Sequence, residues 1–286
     1  MKSNTIVLIH GLWLTPRSWE LFQGLYQKRG WRVLAPAWPR MKGEVEAIRR
    51  DPSPLAGLGI AEIADHYEDV LRGLSEPPIL MGHSFGGLIV QMLLDRGLGA
   101  AGVALDSAAP KGVLRLPASA MRAASPVLKN PASYWGTVAL TFPQFRYAFA
   151  NAMAEPAARG AYERYAIPGP GRPVFQAATA SLNAAAATKV NYLNHDRAPL
   201  LLIAGGEDHQ VPPSMNRSNY RKYSRSRALT QFKEFAGRSH LIAAQEGWQE
   251  VAEYALTWAQ AQAGAGAGAP RLPDYPRRAV EAFQTD

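Results

Sequence analysis

The sequence predicts an α/β fold: a doubly wound, mostly parallel sheet of about six strands with a helical lid inserted into it. Three observations predict it. Strand-length apolar runs alternate along the chain with segments of helical periodicity. One of those runs turns abruptly into a helix through Gly82-His83-Ser84-Phe85-Gly86. The alternation then breaks once, between about Lys111 and Asp196, in a stretch rich in Ala, Pro and aromatic residues.

The strands are expected at Thr5 to Ile9, Arg32 to Ala35, Ile79 to Met81, Gly102 to Leu105, Leu200 to Ala204 and Thr230 to Phe235. Most are continuously apolar, as strands covered on both faces must be. The helices between them are expected at Trp19 to Lys28, Ile60 to Leu74, Phe85 to Arg96, Pro212 to Arg227 and Trp248 to Gln260. Ile60, Ile63, Ala64, Tyr67, Val70, Leu71 and Leu74 follow the three-four spacing of one buried helix face. The organisation this implies is a core of residues 1–110 and 197–262, a lid of residues 111–196 over the strand ends, and a flexible C-terminal tail of residues 263–286. An Ala-Gly repeat opens that tail.

Bulk composition bounds the function. The chain has 286 residues, 47% of them hydrophobic, enough for one large domain with a sizeable core. Cysteine is absent, which excludes a disulfide framework and cysteine-based metal sites. The apolar run after Met1 is too short for a secretory core, and no stretch has the length to span a bilayer, so a cytoplasmic location is expected. The net charge of +8 raises polyanion binding. Its densest segment, Arg217 to Arg227, reads instead as a solvated helix face with Tyr220 and Tyr223 packed inward. No nucleic-acid motif accompanies it, and no nucleic-acid partner is expected.

The Gly-His-Ser-Phe-Gly turn lifts a serine hydroxyl above the sheet, and glycine on either side lets strand and helix approach. A serine needs a base and an orienting acid to become a nucleophile. His240, in Gly237-Arg238-Ser239-His240 between the last strand and the last helix, is the base candidate. Asp208, in Gly206-Glu207-Asp208-His209-Gln210-Val211-Pro212, is the preferred acid, because it follows a buried strand and keeps the chain order Ser-Asp-His. Asp106, at the end of the preceding strand, stands as the alternative acid. The oxyanion donors are expected to be the backbone N–H groups of Phe85 and Leu12. Trp13, Trp135, Phe142, Phe145 and Leu241 are expected to wall the substrate pocket. His83 should point away from the active face, and His10 should brace the loop at Gly11. No histidine shows metal-ligand spacing, and no Gly-rich cofactor motif is present, so neither metal nor cofactor is expected.

Together these elements resemble the α/β-hydrolase superfamily, in particular its compact lidded branch, over about residues 5 to 260. The resemblance implies an acyl-enzyme mechanism on a small hydrophobic carboxylic ester. Alternatives are a lactone, a thioester, a C–C bond or cofactor-free perhydrolysis, or a receptor that uses the same pocket without turnover. Relatives with an aspartate nucleophile are disfavoured, since Ser84 occupies that position. The chain departs from the common pattern by starting almost at the strand usually counted third. Substrate identity and oligomeric state are left open by the sequence.

Overall fold

The structure, a computed structural model, describes residues 4–264. The expected tail beyond residue 264 lies outside the described residues. The chain runs through β1 (Thr5–Ile9), α1 (Glu20–Lys28), β2 (Arg32–Leu34), α2 (Val45–Arg50), α3 (Ile60–Arg72), β3 (Ile79–His83), α4 (Phe85–Asp95) and β4 (Ala101–Leu105). It continues through α5 (Ala118–Leu128), β5 (Thr137–Val138), α6 (Phe142–Phe149), α7 (Glu155–Tyr165), β6 (Gly169–Pro170) and α8 (Arg172–Ala178). It then returns through β7 (Leu200–Gly205), α9 (Pro213–Lys222), β8 (Thr230–Phe235) and α10 (Trp248–Ala263).

Six strands form one sheet in the order β2-β1-β3-β4-β7-β8, and every neighbouring pair is parallel. β5 and β6 make a separate two-stranded antiparallel ribbon that the sequence does not announce. From β1 the chain moves outward to β2, whereas from β3 it moves the other way to β4. The order therefore reverses between β1 and β3. A crevice opens at such a point beyond the carboxyl ends of the strands, and ligands collect there.

Alternate strand residues feed two apolar layers. Ile6, Leu8, Ile79, Met81, Val103, Leu201 and Ile203 pack with Phe22 and Tyr26 of α1 and with Val251, Ala255 and Leu256 of α10. Val7, Ile9, Leu80, Leu200 and Leu202 pack on the other face with Ile63 and Tyr67 of α3 and Leu88 and Leu93 of α4. Burial on both faces explains why the inner strands β1, β3, β4 and β7 carry few polar residues, whereas the edge strand β8 is largely polar.

The segment between β4 and β7 attaches to the loops at the carboxyl edge. Trp13 Nε1 donates to Val138 O and Trp13 O accepts from Ile167 N, both at 2.9 Å. Leu241 N donates to Phe149 O at 2.9 Å. In the basic segment, α9 stops at Lys222, and of its two tyrosines Tyr223 is the buried one. Tyr220 is 39% exposed against Phe232, a correction to the inward packing expected of it. The α-helix ends at Lys222, between the two tyrosines, and Tyr223 opens a 3-10 turn, so a single helical face no longer holds both.

Candidate active site

Strand β3 delivers Ser84 into a conformation that serine rarely takes. Its φ of +55° and ψ of −120° place it at the N-cap of α4, outside the regions open to most side chains. The turn is held because strand, helix and loop lie almost in contact. A Cβ on Gly82 would fall 2.1 Å from Gly86 O, and one on Gly86 would fall 2.0 Å from Ile9 O. Glycine is required at both positions.

Three loops converge on this turn. His240, after β8, sets Nε2 at 3.0 Å from Ser84 Oγ and Nδ1 at 2.6 Å from Asp208 Oδ2. Asp208, after β7, anchors its other oxygen on the N–H groups of Gln210 at 2.7 Å and Val211 at 2.8 Å. An ionised carboxylate only accepts, so Nδ1 carries the hydrogen and donates to it. Nε2 then presents a lone pair, and the serine O–H donates to that lone pair. Ser84, Asp208 and His240 are all buried.

Further buried groups brace the arrangement. His83 does not point idly away from the site: its Nε2 bonds His240 O at 2.7 Å, and its ring lies 4.6 Å from that of His240. Burial, with the neighbouring His240 adding to it, pushes His83 well below the usual imidazole range. His83 is therefore neutral and serves as a hydrogen-bond donor to the carbonyl. His10 bonds Gly11 O at 2.9 Å, accepts from Trp38 N at 3.2 Å and stacks on the Trp38 ring. Burial lowers His10 to about 4, with the Gly11 hydrogen bond opposing the shift. The loop it braces passes so close that a Cβ on Gly11 would fall 2.9 Å from Ser84 Cβ. The peptide N–H of Leu12 follows directly.

Asp106 is placed differently from Asp208. It is fully buried at φ +45°, and its Oδ1 accepts from Gly205 N at 2.6 Å rather than from the imidazole. Burial, then the charge of Asp208, push the Asp106 carboxyl well above the usual carboxylate range.

A profile of the alpha/beta hydrolase family matches residues 6–254. The chain belongs to that family. No curated protein sequence matches this chain. Its fold is shared with an extracellular alpha/beta-hydrolase from a Paenibacillus species, at 22% identity over 89% of this chain and 98% of that one, with a TM-score of 0.66. It is shared too with a monoacylglycerol lipase from Paleococcus ferrophilus, at 22% identity over 90% of this chain and 94% of that one, TM-score 0.62. A pyrethroid hydrolase from Sphingobium faniae JZ-2 has 18% identity over 91% of this chain and 98% of that one, TM-score 0.60. Among the described residues, no helix is long and apolar enough to cross a membrane.

Beside Ser84 lies a cavity of about 120 Å³ that opens to the surface. Trp13 and Phe85 line it. The other expected pocket residues do not. Trp135 is 70% exposed, with its edge against Tyr134. Phe142 lies under Arg159 and Tyr162 beside a separate surface groove. Phe145 is buried, stacked on Phe149, and Leu241 is buried in the same cluster. These large side chains fill space and so leave none for a ligand. Small and flexible residues leave it instead, among them Ala108, Ala177, Val113, Met121, Val174 and Met215. The signal for them was the alanine richness of residues 118–124 and 177–187, which reads as helix propensity until the helices are seen to face a void.

Proposed function

We propose that this protein is a serine hydrolase that cleaves a small hydrophobic carboxylic ester through an acyl-enzyme. The observation that carries the reading is the continuous line from Ser84 Oγ through His240 to Asp208, with links of 3.0 Å and 2.6 Å, opening beside an apolar cavity. Ser84 attacks the ester carbonyl while His240 Nε2 accepts its proton. The N–H groups of Phe85 and Leu12 receive the developing oxyanion; Phe85 is the first residue of α4, where a backbone N–H lacks an intrahelical partner. Asp208 stabilises the imidazolium. The alcohol leaves with the proton from His240, and a water activated by the same histidine releases the acid.

The cavity limits the acyl group. An engineered apolar cavity of about 150 Å³ holds a benzene, so a space of about 120 Å³ suits a short or compact acyl chain. In this reading residues 111–196 are the lid, and Leu116 and Met121, 60% and 46% exposed, border the mouth. The lipase and the pyrethroid hydrolase of the same fold support a hydrolytic reaction class without naming a substrate. The test is fluorophosphonate labelling combined with a graded acyl-chain ester series. Labelling confined to Ser84 and a preference for short chains are expected. Turnover that survives in Ser84→Ala sinks the reading.

A further inference from the structure

A second buried carboxyl stands behind the Ser84–His240–Asp208 line and takes no part in the steps above. Asp106 Oδ1 is used by Gly205 N–H, but Asp106 Oδ2 is buried without a hydrogen-bond donor among the described residues. The Asp106 side chain lies within hydrogen-bonding reach of that of Asp208. A buried carboxyl oxygen with no donor is satisfied when the group is protonated and itself donates to a neighbouring acceptor. Two ionised carboxylates sharing one dry site repel, so the pair keeps one proton.

Donor counts decide which residue holds it. Asp208 receives Gln210 N, Val211 N and His240 Nδ1, at 2.7, 2.8 and 2.6 Å. Asp106 receives Gly205 N alone. The carboxylate with more donors keeps the charge. The titratable groups facing Asp106 are His83 from the end of β3, Asp208 from the loop after β7 and His240 from the loop after β8. One ring nitrogen each of His83 and His240 and a carboxyl oxygen of Asp106 lie within 4.8 Å of one another. His83 is neutral, and both nitrogens of His240 are engaged with Asp208 and Ser84, so neither offers Asp106 a cation of its own.

We propose that Asp106 is a neutral carboxylic acid that donates a hydrogen bond to Asp208, positioning that carboxylate and moderating the charge it presents to His240. Asp106 is a positioning residue here, acting through Asp208; its effect on turnover rests on the serine mechanism proposed above. Removing the donor leaves Asp208 with its full charge against the imidazole. The charged form of His240, which is inactive as a base, then persists to higher pH.

The test has two readouts. Infrared spectra of the wild-type protein at neutral pH should contain a carboxylic acid C=O band that Asp106→Asn removes. A wild-type spectrum without that band, or a band unchanged in the variant, overturns the proposal whether or not the protein is active. The second readout is the pH profile of kcat/KM. Asp106→Leu should move the acid limb upward by about half a pH unit or more, and Asp106→Asn, whose amide keeps a donor, should restore it. Superimposable profiles for the wild type and both variants, or an Asn variant displaced as far as the Leu variant, also overturn it. If Asp106→Leu does not fold, the spectra and the Asn profile still decide. Failure of the serine mechanism would show separately, as absent phosphonate labelling of Ser84 with the infrared band intact.

Discussion

The loops at the carboxyl ends of β3, β7 and β8 and the segment between β4 and β7 meet across one cavity, yet they are built on opposite principles. The loops carry Ser84, Asp208 and His240, which are polar, buried and joined by short hydrogen bonds. Those three side chains are held by these bonds, and Gly82 and Gly86 are dictated by backbone contact. The inserted segment offers the cavity mostly alanine, valine, leucine and methionine, whose positions can shift without stranding a polar group. The difference teaches where chemistry and selectivity would reside. Proton transfer tolerates errors of a fraction of an ångström only, whereas an apolar wall discriminates by volume alone.

Ser84→Ala is the most severe way to test that division. It should lower ester turnover by roughly a thousandfold or more at unchanged stability. Loss of activity accompanied by unfolding in a urea titration would show that the elbow serine is structural instead. A change on the opposite wall should act on selectivity. Val174→Phe fills the cavity from α8. It should depress kcat/KM for the longer members of an acyl series by about tenfold or more while sparing acetyl esters. An equal loss for every ester would mean that the segment shapes the catalytic groups too, and the comparison would fail.

Acid titration sharpens the account of the rim. His10 is held neutral with its value lowered from 6.5 to about 4. The unfolded chain takes up a proton there as pH falls below 6.5, and the folded chain does not. Stability is therefore complete above that value and declines toward pH 4, by about 2 kcal/mol at pH 5 from His10 alone. His83, lowered for the same reason, adds to the decline. Denaturant midpoints at pH 7.5 and pH 5 measure this, and a flat dependence would show that both imidazoles accept protons in the folded state. Trp135→Ala should do least. The side chain is 70% exposed, so kcat/KM should stay within about twofold and stability within about 0.5 kcal/mol.

Much of the rim was legible from residues alone. The Gly82–Gly86 turn, the loop at Gly11 and the histidine after the last strand are short-range patterns, and each element forms for reasons contained in a few neighbouring residues. The expected strands agree with the observed ones to within one or two residues at each end. The walls of the cavity were not legible. Aromatic residues were expected there, but Trp135 faces outward and Phe145 packs against Phe149. A void is defined by side chains that fail to fill it. Which ones fail depends on the angles at which α5 and α8 cross the strand ends, and no local pattern encodes those angles.

From its order of residues alone the chain determined a parallel α/β sheet and the position of a strained serine between strand and helix. Hydrophobic periodicity and glycine spacing act within a dozen residues. Tertiary structure decided which of two carboxyls faces the imidazole. Asp106 and Asp208 both follow buried strands, and only the lateral order β3-β4-β7-β8 puts one against His240 and the other against Gly205. That choice is geometric: a hydrogen bond at 2.6 Å leaves room for a single carboxylate at Nδ1, and distances of that kind exist only once the strands are side by side.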